Sequence, residues 1–269
     1  MTSDLLDLAR SIALEAAELA ARRRAEGVSV AATKSSIVDV VTEADREVEA
    51  LIRGRISAAR PADGFLGEES GAESGTSGLT WVVDPIDGTV NYLYGIPQYA
   101  VSIAVVEGEP DPTTWRALAG CVVNPVLGEV YTAVAGGGAW LGERELRVAE
   151  PVPLERVLVA TGFSYDAATR TAQGALVTRL LSRVRDIRRA GSAALDLCAV
   201  GAGRVDAYFE RTLNPWDQAA GALVAREAGA RVTGFREPQP SSRFLLAAHP
   251  EVAAPLEALF EELGLADQL

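Results

Sequence analysis

The 269-residue sequence predicts an α+β first half with a mostly antiparallel sheet, followed by an α/β second half, on three observations. Four β-rich segments follow one another between residues 79 and 136, separated by Gly, Pro and Asn. After Pro151 and Pro153 strand and helix patterns alternate to the end of the chain. The composition, 48% apolar and 23% charged, is that of a chain with a sizeable core. The length suits one large domain or two sharing an interface. The two prolines place the division at 1–150 and 151–269, as two parts of one compact unit.

Each element has a local reason. Leu5, Leu8, Ile12 and Leu19 recur at helical spacing, which predicts an amphipathic first helix ending near Gly27. Residues 28–36, VSVAATKSS, read as a small-residue loop that could move, and a second helix is expected over 43–59, closed by Pro61. FLGEE presents a short strand ending in two acids, and 70–78, SGAESGTSG, reads as a flexible surface connection. Strands are expected at 79–83, 99–108, 115–123 and 129–136. The second half then gives VLVATGF, a helix over 167–182, VRDIRRA, a helix over 192–200, VDAYFE, a helix over 217–228, RVTGF, RFLLAA and a last helix over 252–263.

Charge narrows the function classes. With 25 Lys plus Arg against 37 Asp plus Glu, the formal net charge of -12 argues against broad attraction to nucleic acid or anionic membrane. An acidic protein acting on phosphate esters needs cations in between. The N-terminus carries Asp4 and Asp7 where a secretory leader is basic, and no run approaches the 18 or so apolar residues of a membrane span, so a cytoplasmic protein is expected. Cys121 and Cys198, far apart and without metal-like spacing, read as buried thiols in a reducing compartment. His249 reads as a surface turn residue. Arg179, Arg183, Arg185, Arg188 and Arg189 read as a solvated face or dimer contact, because no aromatic residue is interleaved for base stacking.

The chemistry concentrates in four strings. In WVVDPIDGTVNY an apolar strand ends abruptly in Asp84, Pro85 fixes the backbone, Asp87 adds a second carboxylate, and Gly88 allows a turn before Thr89. If Thr89 opens a short helix, the Gly88 and Thr89 amides offer an anion site beside two acids; taken alone, the string reads as a turn with no chemistry. GEES, residues 67–70, puts Glu68 at another strand end. In NPWD, Asp217 precedes the apolar run AAGALVAREAGA and is a helix N-cap by default. KSSIVDVVTEADREVE holds Lys34 and Asp45 around a helix start, where Thr42 and Asp45 look like ordinary capping.

GEES, WVVDPIDGT and PWD followed by AAGALVAREAGA occur together, in order, across nearly the whole chain, and in this the sequence resembles the inositol monophosphatase family. The resemblance implies a fold of alternating layers, αβαβα, a Mg²⁺-dependent, lithium-sensitive phosphomonoesterase, and a homodimer. It implies that Glu68, Asp84 and the Ile86 carbonyl hold one Mg²⁺, that Asp84, Asp87 and Asp217 hold a second, and that Glu68 also serves a third, weaker ion. Thr89, backed by Asp45, and Glu68 would orient the attacking water, with Lys34 adding positive charge nearby. Independently, clustered carboxylates repel one another without a cation, and Mg²⁺ prefers hard oxygen donors.

For the substrate, the resemblance puts the phosphate on the Gly88 and Thr89 amides, and the hydroxyls of a polyol on Asp87, Gly191, Ser192, Ala193 and Glu210, beside Asp217. Inositol monophosphate is the leading substrate. Histidinol phosphate, fructose 1,6-bisphosphate and adenosine 3',5'-bisphosphate are the alternatives within the fold; cousins acting on the first or last often carry a lysine after DGT, where this chain has Val90. A non-catalytic regulatory or binding protein is the alternative of another class.

Overall fold

The computed structural model describes residues 2–28, 30–33 and 40–269. Helix α1 (Thr2–Glu26) leads to the antiparallel pair β1 (Val30–Thr33) and β2 (Val40–Thr42), then to α2 (Glu43–Ala59). Next come β3 (Gly64–Gly67), β4 (Gly71–Glu73), β5 (Leu79–Asp87), α3 (Thr89–Tyr94), β6 (Ala100–Glu107), β7 (Arg116–Asn124), β8 (Glu129–Val134), β9 (Gly138–Leu141) and β10 (Arg144–Glu145). The second half holds β11 (Leu158–Thr161), α4 (Ala167–Leu180), β12 (Asp186–Arg188), α5 (Ala193–Gly201), β13 (Ala207–Glu210), α6 (Pro215–Glu227), β14 (Arg231–Thr233), β15 (Leu245–Ala248) and α7 (Pro250–Glu262).

Eight strands make one sheet in the order β10-β9-β8-β7-β6-β5-β3-β4, and five make another in the order β12-β11-β13-β15-β14. Residues alternate between the faces of a strand, so each sheet buries two apolar surfaces. Trp81, Val83, Ile103 and Cys121 of the large sheet pack on α1 and α2, through Ala9, Ile12, Val48 and Ile52. Its other face, with Val82, Ala104 and Val122, packs on α5 and α6 through Leu195, Ala220 and Leu223. Those helices meet the small sheet through Leu197, Ala222 and Ala225 against Ala160, Tyr208 and Leu245. The far face of the small sheet, with Val159, Phe209 and Leu246, is covered by Leu176 and Leu180 of α4 and by Leu256 and Phe260 of α7. The fold is therefore the αβαβα stack. Its central layer is thin: Gly120 faces Ala220, and a Cβ on Gly120 would lie 3.1 Å from the Ala220 Cα.

Several boundaries differ from the sequence expectation. The small-residue segment at 28–36 contributes β1, paired with β2; Lys34 lies outside the described residues. The Gly- and Ser-rich stretch at 70–78 includes β4, which continues the sheet edge by pairing Phe65 with Glu73 and Gly67 with Gly71. Backbone pairing outweighs composition there. One pair of the large sheet, β3 with β5, is parallel, because β4 turns back along one edge of β3 and the chain then reverses again to run along the other. Helix α6 starts at Pro215, two residues earlier than expected. Asn214 is its cap, so Asp217 is the third helical residue of a capping box, and its Oδ2 accepts the Asn214 N–H at 2.6 Å. Both cysteines are buried free thiols. No helix among the described residues is long and apolar enough to cross a membrane.

Candidate active site

Strand β5 delivers the first two acids. Its ladder with β6 runs from Leu79 to Asp84 and resumes at Asp87, with an irregularity between them where Pro85 has no N–H to give. The Ile86 N–H bonds back to Asp84 Oδ1 at 3.1 Å. Gly88 then takes φ +95°, and a Cβ there would lie 2.9 Å from the Gln98 carbonyl and 3.1 Å from the Gly191 carbonyl. No other residue fits that turn without strain. Helix α3 starts at Thr89, whose hydroxyl lies within bonding distance of the Ile86 carbonyl (3.1 Å) and Asp45 Oδ1 (3.3 Å). Asp45 is held by Thr42, whose N–H and hydroxyl both reach Asp45 Oδ2, at 2.8 and 2.5 Å.

The layers bring the remaining residues to the same place. Glu68 follows β3, its N–H bonded to the Val83 carbonyl at 3.2 Å, and its carboxyl lies close enough to Asp84 to raise that group. From the far side, α5 points its N-terminus at Asp87: Oδ2 accepts the Ser192 hydroxyl at 2.6 Å and the Ala194 N–H at 2.7 Å. The Ala193 N–H lies 3.4 Å from the other oxygen. Asn91 ties α3 to the loop before α5 by donating to the Gln98 and Ala190 carbonyls at 2.7 and 2.8 Å. One cavity is lined by Glu68, Asp84, Ile86, Asp87, Gly88, Thr89, Gly191, Ser192, Ala193, Glu210 and Asp217. Of the expected residues, Asp45 stands behind Thr89 instead of on the wall.

The electrostatics are those of crowded acids. Burial first, then the charges of Glu68, Asp87 and Asp217, push the Asp84 carboxyl well above its ordinary range. Burial and the neighbouring Asp87 and Glu68 do the same to Asp217. Asp87 is pushed up to about 6 by burial, although its bonds from Ser192 and Ala194 oppose the shift. Asp45 also rises to about 6, chiefly from burial against the Thr42 bonds, and Glu210 to about 7, again from burial. Four carboxylates in a protein-walled cavity are stable as charges only with cations among them.

The donors fit a hard divalent ion: they are all oxygens, with neither Cys nor His on the cavity wall. The fit is one of donor chemistry. Among the described residues no three acids stand as a preformed metal-ligating group; Asp87 accepts from α5, Asp217 from the Asn214 amide and Asp84 from the Ile86 amide.

Sequence reasoning missed other residues. Phe163, Tyr165, Trp216 and Arg189 also line the cavity. Glu49, 2% exposed on α2, accepts the Glu69 N–H at 2.8 Å, and a Cβ on Gly67 would lie 2.4 Å from that Oε2. The available signal was a glutamate on the apolar face of a helix, in line with Asp45, Val48 and Ile52.

This fold and this set of acids define a phosphatase class, and the model of the inositol monophosphatase family matches residues 1–267. The chain belongs to that family and is a phosphatase. It is 43% identical to an inositol-1-monophosphatase of Mycobacterium leprae, over 96% of this chain and 94% of that one. A protein of Xylella fastidiosa named Nus factor SuhB is 41% identical, over 86% and 85%. The solved Mycobacterium tuberculosis SuhB superposes with a TM-score of 0.83 at 41% identity, covering 98% of each chain.

Proposed function

We propose that the protein hydrolyses inositol monophosphate to myo-inositol and phosphate with Mg²⁺ as cofactor. The observation that carries this reading is the convergence of Glu68, Asp84, Asp87 and Asp217 from three separate elements on one cavity beside the Gly88–Thr89 turn. Glu68, Asp84 and the Ile86 carbonyl would hold one ion, Asp84, Asp87 and Asp217 a second, and Glu68 a third. Bound there, the ions supply charge to activate water and to stabilise the leaving oxygen. The name of the Mycobacterium leprae relative favours inositol 1-phosphate as substrate.

The chain's own residues do the rest. Thr89, with its proton directed to Asp45, turns its lone pairs to the cavity and orients a water, with Glu68 on the facing strand end. The Gly88 and Thr89 amides hold the phosphate. Asp87, fixed by α5, and Glu210, lining the same cavity, accept from polyol hydroxyls beside Gly191, Ser192, Ala193 and Asp217. Lys34 adds positive charge. Since the site takes residues from 1–150 and 151–269 alike, the two halves work as one unit.

We place the enzyme in the cytoplasm as a lithium-sensitive homodimer. Exposed Tyr94 and Ile96 lie beside the turn carrying exposed Val126 and Leu127, tied to it by the Asn124 side chain on the Pro97 carbonyl at 3.1 Å, and such an apolar patch suits a second copy. Light scattering at the mass of one chain would contradict the dimer. For the substrate, phosphate release with Mg²⁺ is compared across inositol 1-phosphate, histidinol phosphate, fructose 1,6-bisphosphate and adenosine 3',5'-bisphosphate. The highest kcat/KM is expected on the first, and a higher value on any other overturns the assignment. The Xylella relative's name favours a second reading, a regulatory role beside the phosphatase.

A further inference from the structure

Two residues that no sequence motif singles out meet at one carboxylate. Tyr208 precedes Glu210 by two positions on β13, so both side chains leave the same face of the strand, toward α5 and α6. Tyr208 is fully buried, and its hydroxyl donates to Glu210 Oε2 at 2.6 Å. The same carboxylate lies against Gly162 of the cavity wall. A Cβ on Gly162 would stand 1.9 Å from Oε2 and 2.2 Å from Cδ and Oε1, so any side chain there displaces Glu210. Asp196 of α5 and Arg189 face the same group, the first repelling its charge and the second attracting it.

We propose that Tyr208 is a positioning residue which, with Gly162 as the seat, fixes Glu210 as a rigid acceptor for the hydroxyls of a polyol phosphate. Selectivity for a hydroxyl-rich substrate is thereby set in part by a side chain that touches no substrate. The claim rests on the proposed reading of Glu210 as the hydroxyl-binding acid. A free glutamate rotates about three torsions and must be ordered each time it binds; one already bonded and seated has little freedom left to lose. A tyrosine hydroxyl has one proton to give. Spent on Oε2, it leaves Oε1 to accept from the ligand.

The test compares Tyr208→Phe and Gly162→Ala with Glu210→Gln and the unaltered enzyme, on inositol 1-phosphate and on glycerol 2-phosphate, with thermal unfolding as the check on folding. For Tyr208→Phe the expected result is a KM for inositol 1-phosphate raised about 5- to 30-fold, the scale of one hydrogen bond to a charged group, with kcat and both glycerol 2-phosphate parameters within about twofold. Gly162→Ala should shift selectivity in the same sense, and Tyr208→Phe should add almost nothing to Glu210→Gln. If Glu210→Gln is selective and Tyr208→Phe is not, the positioning role is overturned while the Glu210 reading stands. Equal losses on both substrates from Tyr208→Phe also overturn it, as a merely structural role. If Glu210→Gln is itself non-selective, the Glu210 reading has failed, and a crystal structure of Tyr208→Phe decides the rest: Glu210 unmoved on Gly162 overturns the positioning role, and a displaced Glu210 supports it.

Discussion

A buried carboxylate needs donors, and the chain supplies them in two different ways. At Asp63, whose side chain is 1% exposed, burial raises the carboxyl, but bonds from Arg60, Ser77 and the Trp81 indole outweigh it and hold the group below its ordinary range. A depressed folded pKa contributes stability that is present above the unfolded value near 4 and is lost as pH falls through the folded value. Asp63→Asn should therefore destabilise the protein by about 1–3 kcal/mol at neutral pH and by progressively less below about pH 4, as urea titrations across that range would show. A pH-independent difference would mean that Asp63 acts by shape alone. The cavity acids are the opposite case, raised by burial and by one another. Asp87 and Asp217 also satisfy the amides of α5 and the cap of α6, so their replacement mixes chemistry with about 1 kcal/mol of capping. Asp84, which accepts the nearby Ile86 amide and caps no helix, is the cleaner probe.

Elements place these residues through small features of backbone. The interrupted β5–β6 ladder, the left-handed Gly88 and the glycines at 67 and 162 each leave room for an acid or a turn. Glu49 belongs to this scale: from α2 it fills the space beside Gly67 and holds the Glu69 amide, and so fixes the strand end that carries Glu68. Glu49→Ala should weaken Mg²⁺ binding measured by calorimetry at least several-fold, while Glu49→Gln, which keeps an acceptor, should retain most of it. Equal binding in both variants and the unaltered protein would remove Glu49 from the account. Much here was legible in the sequence. The abrupt end of WVVD, the DPIDG turn and the helix that PWD opens are written in residue types with few other uses. The seat at Gly67 and the Asp87 cap on α5 were not, because they join residues 18 and 107 positions from their partners, and no local pattern records which layer meets which.

At the scale of the whole molecule, the five layers explain why one cavity draws on both sheets. Helices α5 and α6 are sandwiched between the sheets, and their N-termini carry Ser192 and Asp217 to the end of β5. The small residues Gly120, Ala220 and Gly221 let this middle layer pack closely, which brings acids from distant chain positions within range of one another. The alternation of strand and helix after residue 150 announced an α/β half. The stacking order depended on which faces were apolar at Val82 and Ala104 against Val83 and Ile103, a register that only pairing fixes. The central claim is that these acids work as a cation site for phosphate-ester hydrolysis. The most direct measurement is phosphate release from inositol 1-phosphate in Mg²⁺, in excess chelator, and in Mg²⁺ with Asp84→Asn, after unfolding curves show the variant folded. The account predicts turnover in Mg²⁺ alone, with losses of at least about a hundredfold in the other two, the scale of a few kcal/mol of transition-state stabilisation. Near-normal turnover in chelator, or in a folded Asp84→Asn protein, would contradict it.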